Sequence, residues 1–163
     1  MPALNPTDRA QFAQGWAVTR MVALALCFGA PLAYAVVLVT AVLKGNLAHL
    51  LTGPIPWSHP AVLGALFLSL GSLGGAVLVA PLFQGRLRRN PELALALALS
   101  RQATVVTCAL LESVAIFGLV AGVLAGPGAA PLALALFLVP PAGYVLLVPG
   151  AQTWLDLLEA GGR

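Results

Sequence analysis

Glu112 is a carboxylic acid inside the run CALLESVAIFGLVAG, Cys108 to Gly122, where the one other ionisable group is the thiol of Cys108. A carboxyl can take up and release a proton, and in hydrocarbon its two forms differ sharply in cost. Ionised, it costs at least about 2.5 to 3.5 kcal/mol at the centre of a membrane helix. The protonated acid is therefore the cheaper state in lipid. A group that is neutral in lipid and ionises on meeting water or a cation is a proton carrier. The alternative is an acid hydrogen-bonded to a neighbouring helix that only fixes packing, but intramembrane acids are functional sites by default.

Little else in the chain has the residue types for chemistry. There is no nucleotide-binding loop, no nucleophile beside a base and no pair of carboxylates, so the chain is not expected to be an enzyme by itself. His49 and His59 are ten residues apart, near Trp57 and several prolines but with no acid or cysteine beside them. That is a poor metal-ligand set, and neither a metal nor an organic cofactor is expected. Cys27 and Cys108 fall in apolar runs and read as small buried hydrophobes. A disulfide or metal pair is not expected of them.

The elements that must position Glu112 follow from composition. The 163 residues are 60% hydrophobic and only 8% charged, with a mean hydropathy of +0.98. So few charges cannot make the polar shell of a soluble domain, and an all-α integral membrane protein is expected. A span needs about 20 mostly apolar residues. Four stretches qualify: 21–43, 61–83, a third centred on Glu112 and ending near Ala125, and 129–148. They flank an N-terminal segment, 1–20, and a C-terminal tail, 151–163, and Gly/Pro/polar turns separate them. Ala33-Tyr34-Ala35 could end a signal peptide, but the apolar run continues to Leu43, so an uncleaved first span is preferred.

The basic residues sit beside the spans and read as topology signals, which leaves no basis for a nucleic-acid partner. With the N-terminus in the cytoplasm, Arg9, Arg20, Arg86, Arg88, Arg89, Arg101 and Arg163 are cytoplasmic and Lys44 lies across the membrane. Both termini are then inside, and the expected location is a bacterial inner membrane. The runs AQFAQGWAVTR and AQTWLDLLEA read as short amphipathic surface helices, with Trp16 and Trp154 at headgroup depth. Pro140 and Pro141 are expected to kink or break the fourth span, where Tyr144 either sits at an interface or reaches a polar partner.

Spans two and three form a hairpin. Asn90-Pro91-Glu92 reads as a helix start, with Asn90 as the cap, Pro91 at the first position and Glu92 at the positive end of the macrodipole. Arg101 to Glu112 is about 16 Å of helix, and half a hydrocarbon core is about 15 Å. With Arg101 at the interface, Glu112 falls near the midplane. On span two, Gly64, Gly71 and Gly75 share a face that Gly74 broadens, and Gly71 and Gly75 make a GxxxG pair suited to close helix approach. Such a stripe serves pairing within one bundle or between copies.

The hairpin, residues 61–125, resembles the c subunit, or proteolipid, of rotary ATP synthases. The resemblance rests on the glycine-bearing helix, the loop Arg89-Asn90-Pro91-Glu92, and ALLESVAIFGLV, where an acid, a small residue, Ala, Ile, an aromatic, Gly, Leu and Val follow in the family's order. It covers well under half of the chain. The resemblance implies a homo-oligomeric ring with Glu112 as ion carrier, served by a stator and a central stalk in a lipid membrane. It implies that Arg89, Asn90 and Pro91 form the stalk-facing loop, that the α-helical hairpin packs through Gly71, Gly74 and Gly75, and that Ser113 joins Glu112 in the ion site. Sodium-binding members resemble a stricter pattern, with a Gln on the glycine helix and Ser/Thr plus Tyr after the acid. Here Val114 follows Ser113 and Phe117 replaces the tyrosine, so the proton is the expected ion.

The chain departs from the family in three ways. The interval from Pro91 to Glu112 is about one turn longer, the glycine repeat is depleted, and spans one and four are extra. If span four packed outside Glu112, it would shield the acid from a stator. Two other functions fit the same residues: a membrane anchor that assembles a larger complex without transport, and a small proton-coupled channel or transporter in which Glu112 faces a pore.

Overall fold

The computed structural model describes residues 5–44 and 54–161, and every regular element among them is helical. His49 and Arg163, named above, lie outside the described residues. Three long helices follow one another: α1 (Pro6–Val42), α2 (Pro60–Arg89) and α3 (Leu93–Ala125). A fourth stretch, Pro127–Ala160, takes in α4 (Ala130–Phe137), α5 (Val139–Leu147) and all but the last residue of α6 (Ala151–Gly161). All four stretches are long and apolar enough to cross a membrane. Large apolar side chains cover the outside, with Phe67 78% and Leu146 80% exposed. Such a surface belongs in lipid, and helices are the form in which a backbone crosses lipid with its own hydrogen bonds made. The chain is an integral membrane protein.

α1 is longer than the expected span, and the segment before residue 21 is not a separate surface helix. The Asn5 side chain accepts from the Thr7 amide at 3.3 Å, Pro6 opens the helix and Asp8 sits in its first turn. Nothing between Arg20 and Met21 interrupts the backbone ladder. Hydropathy marks where a helix enters lipid, whereas hydrogen bonding marks where it begins. Two wide turns, Ala25–Gly29 and Leu38–Val42, interrupt the regular pitch, and Pro31, which has no N–H to give, follows the first. The helix stops where Lys44 takes the left-handed conformation, φ 49°.

The α2–α3 turn is tight, but Asn90 does not cap α3. Asn90 ends α2, and Glu92 holds the capping position of α3 without a side-chain hydrogen bond. The proline ring bars Asn90 from the helical conformation, so α2 stops at Arg89 and α3 starts beyond Pro91. At the other end of α2, the Nδ1 of His59 accepts from the Ala61 amide at 3.2 Å, which gives this histidine a capping role.

Pro140 and Pro141 break the fourth stretch as expected. Neither can donate to the carbonyl four residues before it, and the helix is interrupted at Leu138. α6 then folds back onto the bundle. Trp154, expected on a surface helix, is fully buried with Phe12, Val79, Leu87, Ala103 and Leu158. Trp154, Leu155 and Leu158 share one face of α6, which packs on the end of the bundle. Trp16 is half-buried and stacks on Phe12 at 6.5 Å. An Arg9–Glu159 ion pair joins α1 to α6, so both described ends of the chain lie together.

α3 is the central helix. Of its most apolar window 39% is buried, against 22%, 28% and 33% for the other three stretches. Glycines on α3 and α5 allow this packing. A Cβ at Gly118 would stand 2.9 Å from Leu136 Cβ and 3.1 Å from the Ala133 carbonyl oxygen, and one at Gly143 would stand 2.5 Å from the Leu111 side chain.

Candidate proton site at Glu112

Glu112 lies past the middle of α3, half-buried, on the helix that the other three stretches surround. Its Oε1 accepts a hydrogen bond from the Tyr34 hydroxyl at 2.8 Å. Tyr34 comes from α1, 78 residues away, and its ring packs against Phe137 of α4 with centroids 6.3 Å apart. Among the described residues the one ion pair is Arg9–Glu159, so the partner that holds Glu112 is a neutral phenol. A phenol O–H can donate to a carboxylate or to the carbonyl of a protonated acid. The contact therefore tolerates both protonation states, where a paired arginine would enforce the ionised one.

Ser113 does not join this site. Successive residues on a helix point about 100° apart, and Ser113 faces α2 while Glu112 faces α1. Ser113 Oγ lies 2.7 Å from the Leu110 carbonyl oxygen and 2.8 Å from Ser72 Oγ. A hydroxyl owns one proton and a carbonyl can only accept, so Ser113 donates to Leu110 and receives from Ser72. The pair ties α2 to α3 beside the acid and offers it no ligand.

Cys27 and Cys108 are the small buried hydrophobes expected, and they lie together between α1 and α3. Both are free thiols with no exposed surface, packed in one cluster with Ala23, Ala76 and Leu111. Cys27 sits in the first wide turn of α1, and Cys108 is one turn before Glu112 on α3. Among the described residues no group of three or more metal-ligand side chains comes together.

The glycine stripe of α2 behaves differently from one packed inside a bundle. A Cβ at Gly64, Gly71 or Gly74 would meet nothing within 4 Å, and one at Gly75 would meet the Leu110 side chain at 3.3 Å. Most of the stripe therefore has no partner among the described residues. Arg89 and Asn90 are exposed and Pro91 half-buried, at the turn on the same end of the bundle as α6. Tyr144, on α5, meets Phe28 edge to face at 5.8 Å. Beside Tyr34 an apolar groove of about 360 Å³ opens between α1 and the broken fourth stretch, lined by Phe28, Leu32, Phe137 and Pro141 among others.

Tyr34, the partner of Glu112, is the residue of this site that the sequence does not point to. It does not follow the acid on the same helix but arrives from another span. One signal was available: in the apolar run 21–43 it carries the one side chain with a phenol, and a buried phenol generally finds a polar partner. Compared with protein-family models, with curated proteins and with solved structures, the chain matches none.

Proposed function

We propose that this chain is a proton-translocating membrane subunit in which Glu112 is the reversibly protonated carrier. The observation that carries the reading is the Tyr34–Glu112 hydrogen bond on the central helix: an acid deep in an apolar bundle, held by a neutral donor. Positive-inside counting supports a cytoplasmic position for the end that carries Arg9, Arg86, Arg89 and both described ends of the chain. A rotor-type oligomer resembling the c ring of a rotary ATP synthase is the form we favour. In it, copies associate through the unpartnered face of Gly64, Gly71 and Gly74, and the exposed Arg89-Asn90-Pro91 turn meets a stalk subunit. α1 covers the acid in place of the fourth stretch, so proton exchange with a stator requires Tyr34 to release its bond. The ion is the proton, because Ser113 is turned away and cannot complete an oxygen cage for sodium.

The same bond also favours a second reading, in which Glu112 is a packing device within a non-transporting anchor subunit. Proton flux through the chain reconstituted in vesicles separates the two. Glu112→Gln keeps a hydrogen-bonding side chain and removes the titration, so it should abolish flux while the protein still assembles. Unchanged flux would leave the anchor. Carbodiimide should modify Glu112 at neutral pH, and the mass of the detergent-solubilised assembly should be a multiple of the chain's own.

A further inference from the structure

We infer that His59 is an acid-sensitive latch: its neutral ring closes the first turn of α2, and protonation releases that turn at the end of the bundle away from α6. The inference goes beyond the reading of Glu112 as a proton carrier and does not depend on it.

A helix start leaves its first N–H groups without helical partners, and at the start of α2 these belong to His59, Ala61 and Val62, since Pro60 has none to give. His59 is bound up with all three. Its own amide donates to the Pro56 carbonyl at 2.9 Å, its carbonyl accepts from Val62 at 3.0 Å, and its Nδ1 accepts from Ala61 at 3.2 Å. The same carbonyl takes the first regular helical bond, from Leu63 at 3.2 Å. The His59 backbone is extended, φ −70° and ψ 127°, as a capping residue requires. Of these bonds, the one to Ala61 alone passes through a group that titrates.

Serine, threonine and asparagine, the usual caps, accept through an oxygen that keeps its lone pairs near neutral pH. Imidazole differs. The neutral ring has one acceptor nitrogen and the imidazolium has none. Protonation therefore deletes the bond to Ala61 and sets a positive charge at the positive end of the α2 dipole. Both effects act against the closed turn, so the latch is closed when the ring is neutral and opens as the pH falls. The surroundings hold no carboxylate to offset the charge. Segment 54–58 and the first turns of α2, 60–66, carry no charged or titratable side chain. The segment seats on the α3–α4 turn, where a Cβ at Gly128 would stand 3.4 Å from the Pro54 carbonyl oxygen and 3.5 Å from the Pro56 ring. Residues 117–136 around that turn carry none either. The end of α1 packs there through Leu43 and contributes Lys44, a second cation. Ile55 and Val62, on either side of His59, enter one apolar cluster with Val114, Ala129 and Leu132. The cap thus ties the 54–58 segment to the first turn of α2. In the orientation proposed above this end faces away from the cytoplasm, and the latch reads the acidity of that side.

Amide hydrogen exchange of the intact chain in lipid vesicles tests the latch, with each rate corrected for the intrinsic effect of pH. Histidine ordinarily changes charge between about pH 8 and about pH 5. Across that range, opening at Ala61 should rise about tenfold, the size of a lost cap combined with an unfavourable charge at a helix end. The Ala103 amide, deep in α3, should not change, which separates a local release from general unfolding. His59→Asn keeps an acceptor at every pH and should hold Ala61 closed throughout. His59→Ala should fix the opening at its acid level throughout. The sequence contains one other histidine, and His49→Ala should leave the pH dependence in place, as should Glu112→Gln. Equal opening at both ends of the range overturns the latch. So does a pH dependence that survives His59→Asn or is lost in Glu112→Gln. Because the readout is amide exchange and not flux, failure of the latch leaves the carrier reading of Glu112 untouched, and failure of that reading leaves the latch.

Discussion

At the scale of single residues, one side-chain hydrogen bond among the described residues ties Glu112 to its surroundings. Removing the phenol oxygen in Tyr34→Phe deletes it with little change of shape. The expected loss is about 0.5 to 1.5 kcal/mol for a neutral acid, read as a lower thermal midpoint in detergent. The same variant should react faster with carbodiimide, because the acid no longer shares its oxygen with a phenol. Slower or unchanged labelling would mean that Tyr34 does not guard Glu112. Ser113→Ala tests the other half of the expected ion site. It breaks the contact to Ser72, so it should lower the midpoint by about 0.5 to 1.5 kcal/mol and leave proton flux at the level of the unaltered chain. A large loss of flux would return Ser113 to the site.

At the scale of elements, the glycines divide into two populations that the stripe pattern could not separate. Gly118 lies where α3 meets α4, with a backbone carbonyl 3.1 Å from the position of an added Cβ. Backbone yields less readily than a side chain tip, so Gly118→Ala should cost about 1 to 3 kcal/mol as overpacking. Gly71 has open space around it, and Gly71→Ala should be neutral or raise the stability of the isolated chain by up to about 1 kcal/mol through helix propensity. A bulkier change, Gly71→Leu, should leave the chain folded and shift the mass of the assembly, because it fills the face through which copies are proposed to meet. Retention of the full assembly by Gly71→Leu would exclude α2 as the contact.

At the scale of the whole molecule, the end of the bundle where both described ends of the chain lie is held by apolar burial. Trp154 is completely buried, and Trp154→Ala should cost about 3 to 5 kcal/mol, with α6 becoming open to protease. The Arg9–Glu159 pair joins the same two elements, but its side chains are 52% and 33% exposed. Arg9→Ala should therefore change the thermal midpoint by no more than about 1 kcal/mol. The reverse order of these two effects would mean that charge and not packing closes the bundle.

Four apolar stretches, the tight turn at Arg89-Asn90-Pro91, the break at Pro140 and Pro141, and an acid deep in the third span were all legible in the residues. Each depends on local terms: transfer of side chains into lipid, a proline that lacks an N–H, and backbone hydrogen bonds made within one helix. The rotation of each helix about its axis does not depend on local terms. Almost every face of these helices is apolar, so hydropathy does not distinguish the face toward lipid from the face toward a neighbour. That choice was made by fit between spans, at Gly118 against Ala133, Gly143 against Leu111 and Trp154 against Phe12. Only the tertiary structure could therefore bring Tyr34 to Glu112, set Cys27 against Cys108 and turn Ser113 away.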